Sequence, residues 1–477
     1  MCWVFHDRTE ETIMLAITRQ TASFVASLKA SDPPQACRDA ARTGITDCVG
    51  VMIAGAAEEA VRIVSAMSTS STQNDGAPEI PSGRNLTASD AALVNGVAAH
   101  VLDYDDVALA GHPSAVLVPA ILAEGWSRGA SGPDMVTAYV GGYELWAQLA
   151  ALEPGQLHER GFHPTAVMGA VATAAACANI RRLDSEKTAH AIAIAASLAS
   201  GLVANFGTMT KSLHAGRTAQ SGVIAARLAE QGFTGSLDVL EHRTGFLRAH
   251  SPSGQPRIEN GTIDIGANWR LAHLGVNVKR YPTCYATHRS IDAMLGLVGK
   301  HGLKPERVGE IRVHTGITQK LMLRNSNPRT GLEAKFSMEF AMAAALIAGR
   351  VGLAELSDAF VCRDDVKDII AKVRCSTTTE VMEGDQPFAP ADQVSIELTS
   401  GEILTCEPVA YAKGSWQEPL TRGELQDKFL DCATRVFDRN QATILFDQLW
   451  DIERLGSIRE LRLTAIGPTH DEASRRL

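Results

Sequence analysis

The sequence predicts a mainly α protein: a large all-helical domain with a smaller inserted α+β lid domain. Three observations predict it. Alanines and aliphatics recur at three- and four-residue spacing from residue 14 to about 270. Period-two alternation then takes over, and helical spacing returns after residue 408. Aromatic residues are only 5% of a chain that is 45% hydrophobic, so the core is built from small side chains that suit packed helices. At 477 residues the chain exceeds one simple core. The boundaries read as 14–270 for the helical domain, 271–408 for the lid, and 409–477 for helices that return to the first domain.

Within the first segment the clearest helical patterns cover 36–54, 91–103, 135–151, 168–180 and 191–204, with polar turns such as SDPP (31–34) and ASGPD (130–134) between elements. In the second, GEIRVHTG (309–316), AKVRCSTT (371–378) and VSIELTSGEILTCEPV (394–409) alternate as strands do, and Ser400-Gly401 fits a tight hairpin turn. Helices interleave at 291–298 and 336–348. LTRGELQDKFLDCATRVF and NQATILFDQLWDIERL supply the closing helices.

Composition excludes several functions. A net charge of −9 and a pI near 5.9 do not provide the basic surface that nucleic acid needs. No run of eighteen apolar residues is present, so no membrane span is expected. The first residues, MCWVFHDRTEETIM, lack the apolar stretch of a secretory signal, which leads to a cytoplasmic expectation. The amphipathic pattern begins at Met14, the expected start of translation. Nine cysteines, with no Cys-x-x-Cys pair, argue against disulfide frameworks, zinc knuckles and iron–sulfur clusters.

Four segments carry candidate chemistry. In HVLDYDDVALAGHPSAVLVPA, Asp103, Asp105 and Asp106 end one helix and His112 precedes Pro113 at the start of the next. RGFHPTAVMGAVATAAA repeats that grammar with His163 before Pro164. A helix N-terminus offers free N–H groups and partial positive charge, so each start can hold a carboxylate beside an imidazole; each histidine also reads as a plain cap or packing residue. In GTMTKSLHAGRTAQSGVIAARLAEQG, Leu213, Val223, Ile224 and Leu228 mark the expected buried face, which places Lys211, His214 and Arg217 together on another side. That trio is either a solvated basic face or an anion site. In VKRYPTCYATHRSIDAML, Lys279 and Arg280 fall at an expected strand end, with Cys284 and His288 at a helix start. Cys284 reads as a packing residue before a nucleophile. His112, His163 and the three aspartates lack the spacing of a close metal-ligand pair, so no metal is expected.

Together NGVAAHVLDYDD (95–106), GHPS (111–114), GFHPTAVMGA (161–170), TKSLHAGRTAQSG (210–222), KRYPTCYATH (279–288) and GLEAKFSMEFAMA (331–343) resemble the MmgE/PrpD family. That family includes 2-methylcitrate dehydratase, cis-aconitate decarboxylase and iminodisuccinate epimerase. The resemblance implies a helical domain plus an α+β lid, a homodimer, a small polycarboxylate substrate and no cofactor. It places Asp103, His112, His163 and Lys211 on active-site positions, with His214, Lys279, Arg280, Cys284 and His288 as candidate substrate-binding residues. These reactions build electron density beside a carboxylate, which positive groups must meet and a near-neutral histidine can protonate. His163 or His112 then serves as the base, Lys211 binds carboxylate and Asp103 orients an imidazole. A dehydratase or decarboxylase is the first expectation. An epimerase of a substituted dicarboxylate is the second, and an inactive helical interaction protein the third.

Overall fold

The computed structural model describes residues 16–72, 75–153, 155–382 and 388–464; Met14 lies outside them. The fold is mainly α, 55% helical with 8% strand. Helices α1 (Ile17–Ser27), α2 (Gln35–Gly55) and α3 (Glu59–Met67) lead into a two-residue ribbon of β1 (Ala77–Pro78) and β2 (Asn85–Leu86). The central body follows: α4 (Ala88–Val101), α5 (Pro113–Arg128), α6 (Gly132–Leu152), α7 (Pro164–Ile180), α8 (Ser185–Leu198) and α9 (Met209–Glu230). Local signals set these boundaries. Pro113 and Pro164 open α5 and α7, where a missing N–H costs nothing, and a Ser131/Asp134 capping box opens α6. Gly129, at φ 66, closes α5 in the left-handed region.

Small residues let these helices approach closely. A Cβ on Gly96 of α4 would sit 2.8 Å from the Gly216 Cα of α9, and one on Gly222 of α9 would meet Thr173 of α7. Consequently the buried face of α9 is Ala215, Gly216, Ala219, Gly222, Val223 and Ala226. This corrects the aliphatic face expected from sequence: Leu213 and Ile224 are half-buried and Leu228 is exposed, because helices packed this tightly on both sides leave no room for leucine. A second correction concerns 231–270. Continuous helix stops at Glu230, and only α10 (Phe246–His250) and α11 (Arg270–Leu274) follow in that stretch. The segment is broken by Gly232 and Gly254, both at positive φ, and by the SPSGQP run at 251–256.

The next elements are α12 (His288–His301), β3 (Val308–Gly316), α13 (Ile317–Met322), α14 (Gly331–Ala334), α15 (Met338–Ala348), α16 (Asp358–Val361), α17 (Asp364–Ile370), β4 (Val373–Thr378), β5 (Gln393–Leu398) and β6 (Ile403–Thr405). The sheet order is β4-β3-β5-β6, with β3 and β4 parallel and the other pairs antiparallel. Val394, Ile396 and Leu398 alternate onto one face of β5, and Gly401 at φ 87 turns the chain into β6. These strands enclose their own core with Ile291, Met294, Phe340 and Leu346. Finally α18 (Arg422–Ala433) and α19 (Arg439–Trp450) bring Phe429, Leu445 and Phe446 into the apolar cluster that holds Ile45 and Met52 of α2. Among the described residues no helix is long and apolar enough to cross a membrane.

Candidate active site

Contacts along α7 and α9 advance in step, Gly169 with Thr218 and Thr173 with Gly222, so the two helices run parallel and start side by side. The start of α5 joins them, its His112 N–H donating to Thr165 Oγ1 of α7 at 3.1 Å. Three helix N-termini therefore gather where α4 ends, and the positive ends of their dipoles favour anions there. The Gly96–Gly216 crossing draws the end of α4 toward the start of α9.

The loop after α4 distributes two carboxylates to two sets of partners. Asp103 takes the left-handed position that ends the helix, at φ 53. Glycine is the ordinary residue there, and an aspartate costs about 1 kcal/mol. Its carboxylate accepts from Lys211 Nζ at 2.6 Å and pairs with Lys279 Nζ at 3.1 Å, while Lys279 also donates to the Asp103 carbonyl at 2.7 Å. Asp105, fully buried, accepts from His100 Nδ1 at 3.0 Å and His112 Nδ1 at 2.8 Å. The role of orienting imidazoles, expected of Asp103, thus falls to Asp105. His112 Nδ1 also lies 3.0 Å from the Asp106 carbonyl. Facing only acceptors, Nδ1 carries a proton, which leaves Nε2 as the atom available for proton transfer. His163, the N-cap of α7, stacks on His100 with centroids 5.8 Å apart and reaches His214 Nδ1 at 3.3 Å. Between the two carboxylates, the Tyr104 carbonyl accepts from Lys428 Nζ of α18 at 2.9 Å, and Lys428 is itself paired with Asp47 of α2 at 2.6 Å.

Burial and these partners set the charges. Burial works to raise Asp103, but the ammonium groups of Lys211 and Lys279 override it and hold the carboxyl well below the usual range. Asp105 is held down in the same sense, burial being outweighed by His100 and His112. Burial lowers Lys211, and Asp103 more than restores it, leaving it above the ordinary lysine value. Burial takes His100 down to about 4 despite Asp105, and takes His163 well below the histidine range with help from His100 and Lys211. His214 is lowered by burial and Lys211. The resting site therefore joins an ionised Asp103–Lys211–Lys279 cluster to neutral imidazoles.

The α+β unit contributes the other wall. Cys284 is buried near Asp103 and Lys279, its thiol pushed up by burial and by Asp103, and its N–H donates to the Lys335 carbonyl at 2.8 Å. Lys335 lines a cleft of about 400 Å³ with His100, Asp103 and Lys211. Two candidates do not join the site. Arg280 is exposed and faces Asp292 at 3.9 Å, and His288 is buried between Tyr281 and Tyr285 with Nε2 3.3 Å from the Thr283 carbonyl. Nor do residues 279–280 end a strand: this stretch is irregular, tied to the body by a bridge between Val107 and Asn277, because Pro282 and the turn to α12 prevent pairing. Arg217 likewise points away, toward Gln220. His100, Lys335 and Lys428 were not singled out from sequence. His100, Asp105 and His112 offer ligand atoms within 4.8 Å of one another and could hold a metal ion. The contacts to Asp105 are equally those of hydrogen-bonded imidazoles.

Residues 19–259 match the MmgE/PrpD N-terminal domain and residues 281–452 match the MmgE/PrpD C-terminal domain. The chain belongs to the MmgE/PrpD family. Human cis-aconitate decarboxylase is 29% identical to it over 485 residues, covering 97% of each chain. The mouse cis-aconitate decarboxylase is 28% identical over 488 residues, covering 97% of this chain and 96% of its own. The cis-aconitate decarboxylase of Aspergillus terreus is 25% identical over 403 residues, covering 80% and 81%. The MmgE/PrpD likeness thus spans the helical body and the α+β unit alike.

Proposed function

We propose that this MmgE/PrpD protein is a lyase that removes CO2 from a small unsaturated tricarboxylate of the cis-aconitate type, using its own side chains for proton transfer. The observation that carries the reading is the Asp103–Lys211–Lys279 cluster beside four imidazoles at three helix N-termini. The near full-length likeness to cis-aconitate decarboxylases supports decarboxylation among the family's lyase reactions.

In such a substrate one carboxylate sits on a CH2 group next to the C=C. When the bond between that carbon and its carboxylate breaks, CO2 leaves and the electron pair spreads through the double bond toward a remaining carboxylate. Lys211 and Lys279 lie where that charge grows, and fixed cations in a buried site stabilise it without reorganisation. A proton from an imidazole then adds to carbon, and the product is an unsaturated dicarboxylate. His163 or His112 is the donor. The incoming trianion favours a protonated imidazole, so the substrate recruits the acid it needs. Asp105 fixes the His112 tautomer.

The test is proton NMR in D2O with cis-aconitate, citrate, 2-methylcitrate and iminodisuccinate. The expected result is release of CO2 from cis-aconitate with one deuteron incorporated per turnover. Loss of water from citrate or 2-methylcitrate without CO2 would make the protein a dehydratase, and exchange on iminodisuccinate alone an epimerase. Silence across all four would sink the proposal.

A further inference from the structure

Among the described residues Lys279, Lys335 and Lys428 are buried lysines. Lys279 meets Asp103 at 3.1 Å and Lys428 meets Asp47 at 2.6 Å, whereas Lys335 forms no ion pair. A buried ammonium without a counter-charge is costly, and such groups are ordinarily paired. The Lys335 backbone is fixed at this position. Its N–H donates to the Gly331 carbonyl at 3.2 Å and its carbonyl accepts from Cys284 at 2.8 Å. The Thr330 and Ser337 side chains cap α14 and α15 on either side of it. The chain thus holds this cation on the wall of the cleft that also contains Asp103 and Lys211.

We infer that Lys335 is the carboxylate-binding group of the α+β unit, and that it makes the site select tricarboxylates over dicarboxylates. The inference rests on the proposed reading of the cleft as a polycarboxylate site. The pattern of pairing supports it. Lys211 and Lys279 are both engaged by Asp103, whereas Lys335 meets no carboxylate of the described residues within ion-pair distance and keeps its ammonium for a ligand. A dicarboxylate is met by the body lysines and the helix N-termini; a third carboxylate reaches Lys335. Burial, with Lys211 and Lys279 adding to it against the pull of Asp103 and Glu58, takes the Lys335 ammonium down to about 8. Glu58, Glu59, Asp358 and Arg435 are the other charged groups that line the cleft. An anion bound there restores the ammonium, as any close opposite charge does.

Calorimetric titration with tricarballylate, glutarate and methylsuccinate tests this directly. These are a saturated tricarboxylate and the two dicarboxylates made by deleting its central or a terminal carboxylate. None has the double bond that decarboxylation requires, so binding is read without turnover. Wild-type protein should bind tricarballylate at least about tenfold more tightly than either dicarboxylate, the scale of one charge-assisted contact. Lys335→Met should erase that preference while changing dicarboxylate affinity less than about twofold, and Lys335→Arg should restore part of it. If Lys335→Met does not fold, Lys335→Gln and Lys335→Arg make the same comparison. A preference that survives the loss of the amine, equal weakening of all three acids, or no preference in wild type overturns the inference. Wild type that prefers tricarballylate yet leaves cis-aconitate unchanged would remove the decarboxylase reading and leave this one standing.

Discussion

The two walls of the cleft are built on opposite plans. On the helical side the central charged groups are paired with one another: Asp103 with Lys211 and Lys279, Asp105 with His100 and His112. On the α+β side the chain presents Lys335, with no ion pair, and the buried thiol of Cys284. The difference teaches where preorganisation resides. The body sets charges and tautomers in advance, and the smaller unit adds a contact that only a ligand completes.

Breaking a body pair should therefore have the largest effect. Lys211→Ala removes a cation from the place where the proposed reaction builds charge and leaves Asp103 still paired with Lys279. Turnover of cis-aconitate should fall by about 10²- to 10³-fold, the usual cost of one preorganised charge stabiliser, with the thermal midpoint little changed. Normal turnover with a large loss of thermal stability would make Lys211 structural and undo the contrast between the walls.

Next in size is Lys428→Met. This side chain lies outside the cleft, but it ties α18 and α2 to the Tyr104 carbonyl between Asp103 and Asp105. Its loss leaves Asp47 buried without a partner, which costs about 3 kcal/mol or more. Urea unfolding should show that loss, and Asp47→Asn combined with Lys428→Met should recover part of it. A purely additive double mutant would mean that the pair does not act as a unit.

How much of this was legible in sequence differs between the same two walls. The mainly α class, the change of texture near 270 and the strands at 309–316 and 371–378 follow from periodicity alone, which local sequence carries. His112 and His163 stood out because proline after histidine marks a helix start, and both lie there. The division of labour between Asp103 and Asp105 did not, since it depends on the left-handed turn at Asp103. His100 looks like an ordinary core residue on a helix of alanines until α7 brings His163 against it. Lys335 acquires meaning only when the α+β unit packs beside Asp103. Arg280 and His288 show the converse error: residues in the same short motif as Lys279 point to solvent and into the smaller core.

The buried imidazoles give a pH signature that sharpens the contrast, because three of the four involved belong to the body. His100 and His158 are taken by burial to about 4, His288 by burial and Lys279 to about 3, and His163 well below its ordinary value. Their folded values lie below the unfolded one of about 6.5, so between pH 6.5 and 4 the unfolded chain binds more protons. Stability is therefore full above about pH 6.5 and falls as the solution is acidified. By pH 5 each such histidine costs about 1–2 kcal/mol. Asp103 and Asp105, whose folded values are depressed, add their loss only at lower pH. A thermal midpoint that stays flat from pH 7 to 5 would show that these rings are charged in the folded protein.

The smallest expected effect is at Cys284. Its thiol is buried near Asp103, Lys279 and Lys211, a setting that would suit a nucleophile, yet burial and Asp103 push it up, away from the thiolate. Its visible work is done by the backbone N–H that holds the Lys335 carbonyl at 2.8 Å, and serine keeps that N–H. Cys284→Ser should therefore change kcat for cis-aconitate by less than about threefold, within what a small polar swap costs away from the reacting atoms. Mass spectrometry after incubation with cis-aconitate should find no adduct on the wild-type thiol. Complete inactivation of the serine variant together with a trapped adduct would move the chemistry from the helical wall to the other one, because the reacting group would then belong to the α+β unit.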